Sequence, residues 1–318
     1  MRAVLLGQCG QSPAVGDRDT PVSSGGQRRI RVTAAPIAAL DLLCASGTSY
    51  FGVPATPYVP GVQGVGELDD GTPVWFATTA GMKPGDGSMA EYAVAAPDDT
   101  VPLPDGVDSR VVAALGLSAV AAYHALTSHG GLRPGAQVLV LGGGGVVGQA
   151  AIQLALLGGA RRVIAACRSE AARNRALRLG ATACVPSTGG DVATLAAAMK
   201  EAADGPVDIV VDPLFGVPAA AALRTLGPGG VLVNIGGSAG DVAPIESSTL
   251  RSGSLKMVGY TNNALTTEQR AEAVRAVADH VRAGRLTVEY EAVPMTGVTE
   301  AWTRQAQGTA DRRIVLLP

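Results

Sequence analysis

Val138-Leu139-Val140-Leu141-Gly142-Gly143-Gly144-Gly145-Val146-Val147-Gly148 runs from an apolar strand pattern, through four glycines, into an apolar helix pattern. Within it stands Gly143-x-Gly145-x-x-Gly148. That motif is weak by itself and gains meaning only between a strand and a helix, which is where it sits. Glycines turn the chain tightly and let its backbone approach a pyrophosphate, while the free N–H groups and dipole of the helix start favour negative charge. Gly142, Gly143, Gly144, Gly145, Val146, Val147 and Gly148 are therefore read as a dinucleotide-binding turn. The competing reading is a flexible Gly-rich connection.

The flanking chain repeats the same alternation. Strands are expected at Gln137–Leu141, Arg162–Ala166, Val207–Val211, Val231–Ile235 and Leu255–Tyr260. Helices are expected at Val111–Leu126, Val147–Leu157, Glu170–Leu179, Asp191–Ala203 and Val217–Leu226, with Gly227–Gly230 a turn. Strands separated by helices of this length imply βαβ units and a doubly wound parallel sheet of the Rossmann kind, an α/β fold. A last helix starts at Thr266, with Gln269 completing a capping box, and ends near Gly284. Its apolar face is Val274, Val277, Ala278 and Val281.

The end of the second strand selects the coenzyme. An NAD site carries Asp or Glu there to hold the ribose hydroxyls. Here the position is Cys167, 19 residues past Gly148, followed by Arg168 and Ser169. A guanidinium and a hydroxyl suit a 2′-phosphate that a carboxylate would repel. The expected coenzyme is NADPH, with Ser169 also able to cap the next helix.

The first third reads differently. Short apolar runs at Ala3–Leu6, Ile30–Val32, Val74–Phe76 and Tyr92–Ala95 alternate with Gly, Pro and Asp, the pattern of a β-rich domain with many turns. Gly47–Gly66 reads as ordered loop. After Thr287 the pattern returns to strand-like, so the C-terminus is expected to complete the first domain. Residues 1–111 with 288–318 would form one domain and 112–287 the other.

A net charge of −2 and 3% aromatic residues give no footprint for nucleic acid. Cys9, Cys44, Cys167 and Cys184 show no CxxC spacing, so neither a disulfide framework nor a structural zinc cluster is supported. The apolar stretch Val138–Leu157, broken by glycines, Gln149 and Gln153, reads as strand, turn and helix rather than a membrane span. The expected setting is the reducing cytoplasm.

At this point the chain resembles the medium-chain dehydrogenase/reductase superfamily, in its zinc-independent quinone oxidoreductase and enoyl reductase branch. The matching segments include Pro57-Tyr58-Val59-Pro60-Gly61, Gly87-Ser88-Met89-Ala90-Glu91-Tyr92, Val101-Pro102-Leu103-Pro104 and Tyr123-His124-Ala125-Leu126. The glycine loop, Val207 to Pro213 and Gly229-Gly230-Val231-Leu232-Val233 continue the series. The resemblance implies a GroES-like β-rich domain from the two chain ends and an active site in the cleft beside the Rossmann domain. Zinc-dependent members resembling this chain carry Gly-His-Glu where it has Gly61-Val62-Gln63, and a cysteine ligand near Ala38. Neither Val62 nor Ala38 binds a metal, so none is expected. The branch also often has Asn at the Ala38 position and Thr near Ala121, and both polar groups are missing here.

The resemblance implies hydride transfer from NADPH to a small molecule, either a quinone or an α,β-unsaturated carbonyl compound. Similar enoyl reductases place a proton-donating Tyr where this chain has Gly47-Thr48-Ser49-Tyr50, so Tyr50 is the catalytic candidate. It reads equally well as a loop aromatic packed on Phe51 and Tyr58. Gly236 and Gly237, after the Val231–Ile235 strand, would pass under the nicotinamide. Asn262 is a candidate contact to coenzyme or substrate, or a plain loop residue. His124 reads as packing. Two other functions compete. Gly236-Gly237-Ser238-Ala239-Gly240 fits the GxSxG elbow of serine hydrolases. The order Ser238, Asp279, His280 would loosely suit a triad, but Asp279 and His280 are neighbours on a helix and would point about 100° apart. A non-catalytic NADPH-binding sensor would fit the lost polar groups. Leu255–Tyr260, the last strand of its half, is expected at a sheet edge, and a homodimer joined there is expected.

Overall fold

The structure, a computed structural model, describes residues 1–318. Two compact units form, one from Met1–Gly116 with Thr267–Pro318, the other from Leu117–Thr266. These boundaries differ from 111/112 and 287/288. The helix Thr267–Arg282 belongs with the first unit, where Arg270 pairs with Asp99 and the apolar face Val274, Val277, Ala278 and Val281 is buried.

The second unit is built on six parallel strands. In chain order they are β1 (Gln137–Leu141), β2 (Arg162–Cys167), β3 (Ala183–Pro186), β4 (Val207–Asp212), β5 (Leu226–Asn234) and β6 (Lys256–Gly259). The helices between them are α1 (Val146–Leu157), α2 (Glu170–Arg178), α3 (Val192–Ala202), α4 (Gly216–Leu223) and α5 (Ser247–Ser252). Spatially the strands run β3-β2-β1-β4-β5-β6, every neighbouring pair parallel. The order reverses between β1 and β4. That topological switch opens a crevice at the strands' C-terminal ends, the place where such sheets bind ligands. All of β1 is buried, as is the run Gly148–Ala155 of α1, so strand and helix both read as continuous apolar sequence.

Three local departures from the sequence expectation have physical causes. β3 escapes notice because it is a four-residue edge strand ending in Pro186, with only Val185 buried. β5 begins at Leu226, ahead of the expected turn: Val207 pairs with Leu226 and Ile209 with Val231, so Gly227-Pro228-Gly229-Gly230 bulges out opposite Asp208. The expected helix Val111–Leu126 is Ser109–His124, broken at Gly116 (φ 36°, ψ −132°), and passes into a π-helical turn over Ala125–His129. A Cβ on Gly116 would lie 2.0 Å from Gln63 Oε1, and Gln63 is itself held by Trp75 Nε1 at 3.1 Å. Ser109–His129 is long and apolar enough to cross a membrane by composition, but 61% of that window is buried within the protein.

The first unit carries a sheet in the order Tyr290–Pro294, Arg313–Leu317, Arg28–Pro36, Gln63–Leu68, Pro73–Ala77, Thr100–Pro102, with Tyr92–Ala95 also paired to Arg28–Pro36. Gln63–Leu68 thus begins a strand inside the expected loop. The C-terminal strand joins the N-terminal one through Val315 opposite Pro36. Between the two last strands lies a helix, Val298–Ala306, whose buried Val298, Ala301 and Trp302 fall at i, i+3 and i+4. Its three apolar residues are too few to stand out from the strand-like pattern around them.

Candidate functional site

The glycine loop leaves β1 at the switch point. Gly142 takes φ 65°, a conformation glycine alone adopts without strain. The turn closes through Gly145 N–H donating to Gly142 O at 3.0 Å and Gly143 N–H to Ala166 O at 3.1 Å. Gln149 braces it from the helix, donating through Nε2 to Gly144 O at 2.9 Å. Added side chains meet very different surroundings along the loop. A Cβ on Gly148 would stand 2.3 Å from Gly142 O, and one on Gly144 2.5 Å from Ala172 Cβ. On Gly145 it would meet only Gly142 O at 3.5 Å, so that face of the loop is open. Gly145 caps α1 with no side chain, and the N–H groups of Val146 and Val147 have no partner within the protein. An open cradle of free donors at a helix start fits a pyrophosphate.

Cys167 ends β2 fully buried, and a Cβ on Gly143 would approach its Sγ to 3.0 Å. Burial, reinforced by the neighbouring Cys184, pushes this thiol up to about 11, so it is a packed thiol and no nucleophile. Arg168 is exposed and makes no ion pair. Ser169 Oγ accepts from Ala172 N–H at 3.2 Å and caps α2. Both residues stand where the second strand hands over to its helix.

Gly236 and Gly237 follow β5. A Cβ on Gly236 would lie 2.9 Å from Pro213 O, and one on Gly237 2.9 Å from Asp241 Oδ1. Beside them is a cluster that the sequence analysis missed. The fully buried Asp212 accepts through Oδ1 from Leu214 N–H (2.9 Å) and Phe215 N–H (2.8 Å). Its Oδ2 accepts from Asn234 Nδ2 at 2.9 Å. An Asp followed by Pro at a strand's end is a turn signal that could have found it. Ser238, the serine of the GxSxG match, donates its hydroxyl to Pro213 O at 3.1 Å.

Asn262 has a bracing task. It accepts from Tyr260 O–H at 2.6 Å and donates to Leu117 O at 2.9 Å. His124 is buried with Nδ1 2.9 Å from Ser128 Oγ. A cavity of about 410 Å³ is lined by Pro206–Ile209, Gly227–Val231 and Lys256 at the opposite ends of the strands from the glycine loop.

In the other unit Tyr50 is 76% exposed. Its hydroxyl has no hydrogen-bond partner and its ring packs on Phe51 at 4.3 Å. Ala38 and Val62 are buried, and their N–H groups donate to the carboxylate of Asp41 at 2.8 and 2.9 Å, joined by Gly61 N–H at 3.1 Å. Burial pushes that carboxyl up to about 6 against the pull of these donors and of Arg313. Cys44 is buried, its thiol pushed up to about 11 by burial and by Asp41. No three His, Cys, Asp or Glu side chains converge anywhere.

The family described as Zinc-binding dehydrogenase matches residues 146–279. A stretch of one subunit of the phenolphthiocerol/phthiocerol polyketide synthase of Mycobacterium tuberculosis is 29% identical over 303 residues, 92% of this chain. This chain spans only 14% of that much longer polypeptide. The quinone oxidoreductase of Sus scrofa is 30% identical over 268 residues, covering 80% of this chain and 78% of that protein. Among solved structures, the quinone oxidoreductase of Thermus thermophilus, determined alone and in complex with NADPH, is 28% identical with a TM-score of 0.82 over 100% of both chains.

Proposed function

Because the chain belongs to the medium-chain dehydrogenase/reductase superfamily, in its quinone oxidoreductase branch, we propose that it is an NADPH-dependent oxidoreductase acting without a catalytic metal on a quinone or an α,β-unsaturated carbonyl compound. The observation that carries this reading is the open, uncapped start of α1 at the switch point, with an unpaired Arg168 at the end of the neighbouring strand. The N–H groups of Val146 and Val147 bind the pyrophosphate, and Arg168 with Ser169 takes the 2′-phosphate. Gly236 and Gly237 give the nicotinamide a surface free of side chains. When bound, NADPH supplies the hydride. The likeness to part of a polyketide synthase supports keeping enoyl thioesters among the acceptors.

Metal independence is supported by side chains that cannot ligate. Val62 and Ala38 are apolar and buried. The test is a panel of quinones, enones and enoyl thioesters followed by NADPH absorbance with chelator-washed protein. Consumption that persists after the wash supports the reading. Tight NADPH binding without consumption of any acceptor points instead to a sensor.

Coenzyme choice gives a direct prediction. One charge-assisted contact contributes roughly 1.5–3 kcal/mol, about tenfold or more in affinity. NADPH is expected to bind correspondingly more tightly than NADH, and Arg168→Ala to erase most of that difference, read by fluorescence titration. Equal wild-type affinities would sink the assignment.

Tyr50 is the proposed proton donor, since its hydroxyl is free and exposed. Tyr50→Phe is expected to lower turnover by about tenfold, at the small end of general acid effects because water can substitute, with NADPH affinity unchanged. Unaltered turnover would leave Tyr50 as a packing partner of Phe51.

β6 lies at the sheet edge, with Met257 44% exposed. An unpaired apolar edge invites pairing, so a two-fold dimer joined through β6 is proposed, in a reducing cytoplasm that suits four free cysteines. Light scattering at micromolar concentration is expected to give twice the chain mass, and a monomer would overturn the proposal.

A further inference from the structure

Two loops leave the sheet at its switch point. One is the glycine loop after β1, the other is Pro213-Leu214-Phe215 after β4. The second loop is strained. Phe215 takes φ 57° and ψ −154°, a region that residues with side chains avoid. Such a conformation persists only where its surroundings over-determine it. Here the Asp212 carboxylate does so, accepting from the N–H groups of Leu214 and Phe215.

The loop touches both segments assigned to the coenzyme. Pro213 Cγ and Leu214 Cδ2 back onto Gly142, lying 3.3 and 3.1 Å from where its Cβ would be. On the other side Pro213 O accepts from Ser238 Oγ (3.1 Å), and Leu214 O accepts from Ala239 N–H (2.8 Å). Asn234 ties the arrangement together. Its Nδ2 donates to Asp212 Oδ2 at 2.9 Å and to Gly236 O at 2.8 Å.

We propose that Asp212 and Asn234 are positioning residues for hydride transfer: they lock the strained 213–215 loop between the glycine loop and Gly236–Gly237, and so set where the nicotinamide half lies relative to the phosphates. The proposal rests on the reading that this unit binds NADPH. Neither residue acts on the coenzyme directly. In Asp212→Asn an amide N–H would face Asn234 Nδ2, donor against donor, so the tie to Gly236 is broken. Asn234→Ala removes the tie outright.

The test separates the two halves of the coenzyme. Adenosine 2′,5′-bisphosphate reports the phosphate side alone, and NADPH reports both. In Asp212→Asn and Asn234→Ala the bisphosphate dissociation constant is expected to stay within about twofold of wild type, while that of NADPH rises about fivefold. Turnover is expected to fall by about tenfold or more, with a larger primary isotope effect from 4-deuterated NADPH as hydride transfer becomes slower. Phe215→Gly relieves the strain without touching the buried carboxylate. It gives up the packing of the Phe215 ring on the core but keeps the Asp212 lock and fits the positive φ, so NADPH affinity and turnover are expected to stay near wild type, and Asn234→Ala keeps the proposal testable should Asp212→Asn fail to fold. Wild-type NADPH affinity and turnover in Asn234→Ala would overturn it. Equal weakening of both ligands would also overturn it, since that marks general loosening. Wild-type protein that binds neither ligand would remove the coenzyme reading itself and the proposal with it.

Discussion

Gly148→Ala is expected to abolish useful NADPH binding, whereas Gly145→Ala, three residues earlier in the same loop, weakens binding while leaving the fold untouched. The difference follows from what each new methyl meets. At Gly148 it stands 2.3 Å from the Gly142 carbonyl and 2.6 Å from Gly143 Cα, both backbone, so the helix and the loop must part. Overpacking of this kind costs about 1–3 kcal/mol of stability. It would also swing the N–H groups of Val146 and Val147 away from the pyrophosphate position proposed above. Two charge-assisted hydrogen bonds at roughly 1.5–3 kcal/mol each amount to at least about a hundredfold in affinity. At Gly145 the methyl clears the protein, with Gly142 O at 3.5 Å, but occupies the open face proposed for the phosphate. Affinity is expected to fall about tenfold at an unchanged melting temperature. Thermal melts and fluorescence titration check both variants. A Gly148→Ala protein with wild-type stability and affinity would show that the loop's packing is not what shapes the site.

How much of this was legible in the sequence depends on where each signal lives. The glycine loop was legible because its chemistry is local: a buried strand, small residues and an apolar helix follow one another in the chain. The edge position of β6 followed from its being the last strand of its unit. Asp212 was legible only as a turn signal before Pro213, and its tie to Asn234 not at all, because that contact is made across 22 residues between two strand ends. Phe215 was hidden for a different reason. Its backbone conformation is one that sequence normally announces with glycine, and here a bulky side chain carries it. The bracing of Tyr260 and Leu117 by Asn262 was not legible, because a loop amide looks the same in sequence whatever it bonds to. The unit boundaries moved for a tertiary reason too. The 267–282 helix has an ordinary amphipathic pattern, and only its partners tell which core it covers.

Arg313→Met is expected to destabilise the protein in a pH-dependent way, because it removes the one positive charge acting on the buried carboxylate of Asp41, which keeps its three N–H donors. Arg313 is 8% exposed and Asp41 is 2% exposed. Burial pulls the guanidinium down to about 10, with Asp41 opposing, and pushes the carboxyl up to about 6, with the three N–H donors and Arg313 opposing. Breaking a buried contact pair costs about 3–5 kcal/mol, and because Asp41 keeps its three N–H donors the cost here is expected below that range. The sign with pH follows from linkage. The folded-state value near 6 lies above the ordinary 3.8, so the folded protein binds this proton more tightly than the unfolded chain does. Asp41's contribution is therefore most favourable below about pH 4 and is lost as pH rises through the folded value. Without Arg313 the folded value climbs further, so the loss continues above pH 6, where the wild type has finished losing. Denaturant unfolding is expected to show the larger cost, about 2–3 kcal/mol, at pH 8. At pH 5, where the carboxyl is protonated in both proteins, only about 1–2 kcal/mol is expected, from lost packing and the hydrogen bond to Ile37 O. Adding Asp41→Asn should recover part of the pH 8 loss, since an amide keeps the Gly61 and Val62 donors satisfied and carries no charge. An Arg313→Met cost equal at the two pH values would show that the pair does not interact as a charge pair. It would also leave the pinning of Ala38 and Val62 to the N–H contacts of Asp41 alone.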